Sequence, residues 1–260
     1  LTTSAEYDGS SWTATPALAV AKYWSAQAGT TAAAAVFGGV GTPAGTLFSN
    51  ATEEWNGSTW SVVPGTMPTA TIESGACGTQ TAALNIMGLT NPATYDMSNL
   101  TFEYDGTTWT GGGNNAYYGY VAAGAGTQTA AIKMGGYAQP GPGPYGPAPT
   151  TSTTISETYN GTAWATGPTM LFVQIGDSGG AGTQSDAMIV SGAPGVTSVQ
   201  RYDGTAFATS PSVSTGRTNA GGGGTSAAAA YMVAGGSHTT PTEQFTDTVA
   251  ALTAQTVTSS

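Results

Sequence analysis

A six-residue phrase, Tyr-Asp-Gly-Thr-Thr-Trp at 104–109, constrains this chain more than any other feature, because near copies of it recur along the whole sequence. They read YDGSSW at 7–12, WNGSTW at 55–60, YNGTAW at 159–164 and YDGTAF at 202–207. Asp-Gly or Asn-Gly between β-favouring residues is the strongest short-range hairpin signal, since both central positions of a type I′ turn need φ > 0. Each copy is therefore expected to be a hairpin with a two-residue turn. In that register Tyr104 faces Thr107 and Trp109 lies a diagonal step away on the same side, while Glu103 pairs with Thr108, as Glu6 does with Ser11 and Glu54 with Thr59. The ring pairs Tyr7/Trp12, Trp55/Trp60, Tyr104/Trp109, Tyr159/Trp164 and Tyr202/Phe207 then form one aromatic face per copy. A two-stranded hairpin is marginal alone in water, so that face needs further strands to cover it.

A second element alternates with the first: AGTTAAAAVFGG (28–39), CGTQTAALNIMG (77–88), AGTQTAAIKMGG (125–136), AGTQSDAMIVSG (181–192) and GGTSAAAAYMVAGG (223–236). A Gly-Thr turn, an apolar Ala-rich run and a closing glycine describe a strand buried on both sides. Small residues such as Ala33, Ala82, Ala130 and Ala228 suit a crowded place where strands converge. One period thus holds four antiparallel strands, and the turn glycines Gly9, Gly57, Gly106, Gly161 and Gly204 follow one another at intervals of 48, 49, 55 and 43 residues. Four strands per 40–50 residues is the blade of a β-propeller. The expected fold is all-β, a single domain over 1–260, with repeats near 5–13, 20–62, 70–110, 120–165, 175–208 and 217–258. Five blades result if the hairpin at 5–13 completes the blade begun by 217–236; six is the alternative. The degraded copy EQFTDT (243–248), without Gly or Trp, is left to lie outside or to pair with another chain. Both tight turns fall on one side of such a blade and both long connections on the other. The variable loops 89–100, 111–120, 137–153 and 165–175 are where recognition is expected.

These residues resemble the kelch repeat, in which a hydrophobic strand ends in two glycines and is followed by a strand with Tyr and one with Trp. Gly38-Gly39 with Trp55 and Trp60, Gly135-Gly136 with Tyr159 and Trp164, and Gly235-Gly236 with Phe245 carry the likeness. It covers nearly the whole chain, with the pair reduced to Gly88 and Gly192 in two repeats, Phe207 in place of Trp, and a Tyr-to-Trp interval shorter than in kelch repeats. The wording E-Y-D-G-T-x-W with A-G-T-Q-T-A-A resembles repeats in predicted tail and virion proteins of marine bacteriophages, and also occurs in bacterial surface proteins. That resemblance implies a virion or extracellular location, a tail or capsid appendage, a part in host attachment, and partners among other assembly subunits.

Only 7% of residues are charged; Lys22, Lys133, Arg201 and Arg217 are the four cations, and the net charge is −10. Phosphate backbones and anionic lipid are repelled, which argues against nucleic-acid binding. The longest apolar run, near 32–37, is far shorter than the roughly 20 residues that span a bilayer, so membrane insertion is not expected. The chain opens at Leu1 without a secretory pattern, as a processed product or fragment would. A single cysteine, Cys77, permits no internal disulfide and sits where Ala125 and Ala181 stand in other repeats, a small buried position.

No catalytic residue, metal or cofactor is assigned. Glu6, Asp8, Glu54, Glu103, Asp105, Glu157, Asp203 and Glu243 sit beside or within the hairpin turns and are read as structural. A copper site of the kind the kelch resemblance allows needs partner histidines, whereas His238 is the sole one. Asp96, Asp177 and Asp186 are acids outside the repeat pattern, and a pair of them could serve a polysaccharide-acting enzyme only if brought together. The loop aromatics are more informative: Tyr95, Tyr117, Tyr118, Tyr120, Tyr137 and Tyr145, with Asn114 and Asn115, can stack on sugar rings and bond their hydroxyls. The sequence thus points to a non-enzymatic binding or structural propeller, with a host cell-surface glycan or a partner protein as ligand. The contrasting readings are a polysaccharide-acting enzyme and a purely structural subunit that pairs its C-terminal strand with another chain.

Overall fold

The computed structural model describes residues 2–41, 47–144, 151–174, 179–192, 196–218, 220–226, 229–232, 242–248 and 251–257. Tyr145, Asp177, Ala228, Gly235-Gly236 and His238 lie outside them. The described residues form antiparallel strands and no helix. They group into two compact units, one of residues 1–120 and 139–149, the other of residues 121–138 and 150–260.

The first unit holds the hairpin Ser4–Tyr7/Trp12–Thr15 and two four-stranded arrays. Sheet one runs Ala26–Gly29, Ala34–Phe37, Thr52–Trp55, Trp60–Val63, and sheet two runs Gly75–Thr79, Ala82–Thr90, Asp96–Tyr104, Trp109–Gly111. A small ladder of Lys22–Tyr23, Val40–Gly41 and Leu47–Phe48 lies on the long connections of sheet one. The second unit holds sheet three (Ala123–Thr127, Ala130–Met134, Ser156–Tyr159, Trp164–Thr166), sheet four (Gly179–Thr183, Asp186–Val190, Val199–Tyr202, Phe207–Ser210) and sheet five (Gly222–Ser226, Ala229–Met232, Thr242–Thr248, Ala251–Val257). Strands follow one another in chain order in every sheet, so the two tight turns share one end and the long connection takes the other.

One expectation about strand exchange is corrected. Sheet five takes its third and fourth strands from Thr242–Thr248 and Ala251–Val257, not from the hairpin at 5–13. Residues 242–248 lack the Asp-Gly loop, yet seven paired positions with 251–257 hold that hairpin through its ladder.

The hairpin register is corrected as well. Tyr104 pairs directly with Trp109, Tyr7 with Trp12, Trp55 with Trp60, Tyr159 with Trp164 and Tyr202 with Phe207, each across a four-residue loop. Asp105 Oδ1 accepts the backbone N–H of Thr107 (2.8 Å) and Thr108 (2.7 Å), so the carboxylate supplies what a primed turn would take from backbone geometry. Gly106 alone has a positive φ there, +90°. Glu103 consequently faces Thr110, Glu54 faces Ser61 and Glu6 faces Thr13. The rings still meet, with centroids 4.9 Å apart for Tyr104/Trp109 and 5.5 Å for Trp55/Trp60. True two-residue turns occur at the other hairpin, at Gln80-Thr81, Gln128-Thr129 and Gln184-Ser185.

The rings of sheets two, four and five lie on the Ala-rich strands of the sheet before them in their unit. Between sheets one and two, Tyr104, Trp109 and Phe102 pack with Ala26, Ala28, Ala35 and Phe37, and the rings of Phe37 and Trp109 meet edge-on at 4.8 Å. Sheets three and four repeat this with Tyr202 and Phe207 against Ala123, Ala125, Ile132 and Met134, and sheets four and five with Phe245 against Ala181 and Met188. Alanine admits the facing rings, and burying one large ring contributes about 2–3 kcal/mol. Ala35, Ala83, Ala131 and Ala187 are fully buried; Ala33, Ala82 and Ala130, one or two residues nearer the turn, are half-buried. Hydrogen bonds fix the same contacts. Trp109 Nε1 donates to Thr52 Oγ1 (2.9 Å) as Trp60 Nε1 does to Ser4 Oγ (3.1 Å), and Gln80 Nε2 donates to the carbonyls of Ala34 (3.2 Å) and Trp55 (2.7 Å). Gln184 repeats that clamp on Ala131 (3.0 Å) and Tyr159 (2.6 Å).

Candidate functional site

Sheet two departs from the others at its long-connection end. Where sheets one and three close their second strand with Gly38-Gly39 and Gly135-Gly136, sheet two has Met87-Gly88, and after a bulge the strand continues to pair Leu89 with Met97 and Thr90 with Asp96. The extended arm bounds an open cavity of about 550 Å³, completed by Asn114, Tyr118 and the Pro142-Gly143 segment. Gly143 pairs with Met97 and Gly119 with Ser98, which brings both segments onto the arm.

The lining mixes the hydroxyls and amides of Thr90, Ser98, Asn99, Asn114 and Tyr118 with the apolar Met97, Leu100 and Pro142. Asn99 Nδ2 donates to the carbonyl of Asn115 (3.1 Å), and the Asn115 N–H returns a bond to the Asn99 carbonyl (2.8 Å), so the 114–115 loop is held on the third strand. Ser98 Oγ is buried in the lining without a hydrogen-bond partner, and behind the lining the side-chain oxygen of Asn115 is likewise buried and unpartnered. An unsatisfied buried hydroxyl costs about 1–3 kcal/mol, so Ser98 Oγ is the lining atom poised for a polar ligand or water. Asp96 is the one carboxylate of the lining, held by Asn91 Nδ2 at 3.0 Å.

The eight sequence-selected residues separate. Asn114 and Tyr118 meet at the cavity. Tyr95 stands beside it, 39% exposed, with its ring 5.5 Å from that of Phe48. Asn115 is buried and braces the wall, and Tyr120 is buried (4% exposed), so neither presents a surface to a ligand. Tyr117 is half-buried, and Tyr137 belongs to the second unit, where it pairs with Ser152. Tyr145 falls outside the described residues.

Sequence reasoning missed Tyr23, Trp24 and Phe48. Tyr23 and Trp24 are 40% and 44% exposed with rings in edge contact at 5.0 Å, and Tyr23, Val40 and Phe48 are register partners across the small ladder. The available signal was an aromatic pair outside any hairpin copy. Trp24 has φ +56°, but Glu73 (+52°) and Val121 (+50°) share that conformation at the matching repeat position, so it belongs to the repeat.

The charges are committed elsewhere. Lys22 pairs with Glu53 (3.7 Å), Lys133 with Glu157 (2.6 Å), Arg217 with Glu243 (2.9 Å) and Arg201 with Asp186 (2.9 Å), the first three buried. Glu157 and Glu243, expected beside the turns, instead sit two residues before the ring on a buried strand, where Glu53 and Gln200 also stand. Burial pulls the ammonium pKa of Lys22 and Lys133 down, against the opposing attraction of their glutamates. Asp186, noted above as lying outside the repeat pattern, is thus in an ion pair, and among the described residues no three His, Cys, Asp or Glu side chains cluster to hold a metal. No described helix is long and apolar enough to cross a membrane.

No family model matches the chain, and no curated protein matches it. Among solved structures, one titled "Structure of YjhT" is similar to it with a TM-score of 0.75 and 13% identity, covering 98% of this chain and 91% of that one. At that identity the likeness concerns the fold alone.

Proposed function

We propose that this chain is a β-propeller of kelch-like, four-stranded blades, five in number with six as the alternative. In this reading it serves as a non-enzymatic binding part of a virion or other extracellular surface assembly, recognising a glycan through its long-connection side. Five sheets of one strand order, three of them packing their hairpin rings on the preceding sheet within the unit, support the propeller. The wording of the hairpin copies supports the virion setting. Binding rests on one observation: the cavity of mixed apolar and polar lining at Ser98, Asn99, Asn114 and Tyr118, with an unpartnered buried hydroxyl in its wall.

A glycan array read with the wild type and with an Asn114→Ala/Tyr118→Ala variant tests this. Binding of at least one glycan, weakened about ten-fold or more in the variant, is expected. Full binding by the variant removes the cavity from the site, and turnover of a bound polysaccharide that Asp96→Asn abolishes moves the chain to the enzymes. A structural role has its own support in Ala251–Val257, the outer strand of sheet five, paired on one side among the described residues. An edge of that length can accept a strand from another subunit, and light scattering that finds only monomer at high concentration would argue against self-pairing.

A further inference from the structure

We infer that Tyr23, Trp24, Phe48 and Tyr95 form an aromatic platform that binds a neutral polysaccharide chain and leads it into the cavity that begins at Asp96. This rests on the binding reading above and adds the ligand class and a second contact region. The rings come as two edge-on pairs, Tyr23/Trp24 at 5.0 Å and Phe48/Tyr95 at 5.5 Å. Tyr23 and Phe48 occupy the outer strands of the three-stranded ladder in direct register through Val40, about 10 Å apart at two strand spacings. Three of the four rings are 39–44% exposed, and Leu47 beside Phe48 is 62% exposed. The largest apolar patch on a monomeric protein is often a functional one.

The occupant follows from size and charge. Partly exposed rings of this kind offer roughly a few hundred Å², whereas a standard protein partner covers about 800 Å² on each side. The strip is thus small for a protein and suited to a narrow polymer. Sugar rings present an apolar C–H face for stacking and a hydroxyl rim for polar groups, and here Tyr95 immediately precedes Asp96, the first residue of the strand that carries the Ser98 and Asn99 lining. All four cations of the chain are in ion pairs. Acids flank the strip instead: Glu73, whose N–H bonds the Trp24 carbonyl at 3.0 Å, and Asp96. With a net charge of −10, a uronate, sialylated or sulfated polymer is repelled.

Native affinity electrophoresis tests this, with gels containing galactomannan, xyloglucan, mixed-linkage β-glucan or dextran, and parallel gels containing alginate or polysialic acid. The proteins are wild type, Trp24→Ala, Tyr95→Ala and, as a control, Val62→Ala at an exposed position on the opposite arm of sheet one. Thermal melts confirm that the variants fold, as the other residue types at the matching position of Trp24 lead one to expect. At least one neutral polymer should retard the wild type at low and high salt, and retardation should weaken about ten-fold in each ring variant but not in Val62→Ala. Equal retardation of the ring variants overturns the platform. Retardation by alginate or polysialic acid alone, or a blank gel set beside a positive array, overturns the neutral class and leaves the cavity reading standing. A blank gel set beside a blank array overturns both.

Discussion

The side chain of Asp105 decides the shape of its hairpin. Its oxygens accept the N–H groups of Thr107 and Thr108 and the hydroxyls of both threonines, and Asp8 does the same for Ser10 and Ser11. These bonds, led by the Thr108 N–H for Asp105 and the Ser11 N–H for Asp8, hold both carboxyls well below their ordinary value of 3.8. A depressed folded pKa contributes stability that is present above pH 3.8 and is lost as pH falls through the folded value. Asn56 and Asn160 make the backbone bonds without a titrating group. Asp105→Asn should therefore keep the melting temperature at neutral pH and flatten its fall in strong acid, while Asp105→Ala lowers it at both; melts across that range decide. At Cys77, burial pushes the thiol pKa up to about 12. Native protein should resist iodoacetamide at mildly alkaline pH and become alkylated only on denaturation, as intact-mass measurement can follow. Stoichiometric labelling of the folded chain would show that the position opens.

At the level of strands, one position carries most of the polar chemistry of the interior. Two residues before the hairpin ring stand Glu53, Phe102, Glu157, Gln200 and Glu243, all buried. Glu53 accepts the N–H groups of Ala19 and Val20, Gln200 those of Leu171 and Phe172, and Glu243 that of Ser214, so each ties down the loop leading into its sheet. Phe102 shows that the position also accepts an apolar residue, opposite Asn85, whose amide has no partner. This bears on Lys133–Glu157, where both side chains are fully enclosed. Removing one partner strands a buried charge and costs about 3–5 kcal/mol, whereas replacing both with apolar residues of similar volume is often neutral or better. Lys133→Met should accordingly be strongly destabilising and Lys133→Met/Glu157→Leu close to wild type in urea unfolding. A double variant as weak as the single one would mean that the pair contributes more than it costs to bury. The Gln80 clamp differs, because it satisfies two carbonyls of sheet one; Gln80→Ala should cost about 1–3 kcal/mol in the same assay.

Across the whole chain, what the sequence disclosed was the part encoded by local repetition. The hairpin copies, the Ala-rich strands and their order follow from turn residues and alternation, and the structure forms sheets from the strands so identified. The loop register did not, because Asp-Gly reads alike whether the backbone or the Asp carboxylate satisfies the turn. The platform rings come from separate segments, Tyr23 and Phe48 joined by the ladder and Tyr95 by its ring contact with Phe48, and Glu157 and Glu243 group in sequence with the acids of the turns because the buried cations they meet stand on other strands or loops. Their pairing has a consequence for the entire fold. Lys22, Lys133 and Arg217 are 5%, 0% and 3% exposed, and Arg201 lies mid-sheet with ladder partners on both sides. These four are the chain's only trypsin sites, and cleavage needs several residues of extended, accessible backbone, so each cut requires a strand or an anchored loop to open. Cleavage should then follow the population of opened chains. Native protein should stay intact under trypsin amounts that digest it at once in urea, and Lys133→Met, which removes the cation facing Glu157, should be cut at the three remaining sites in proportion to its lost stability. Prompt cleavage of the wild type after Arg217 alone would instead show that the loop anchored by Ser191 and Glu243 opens independently of the sheets around it.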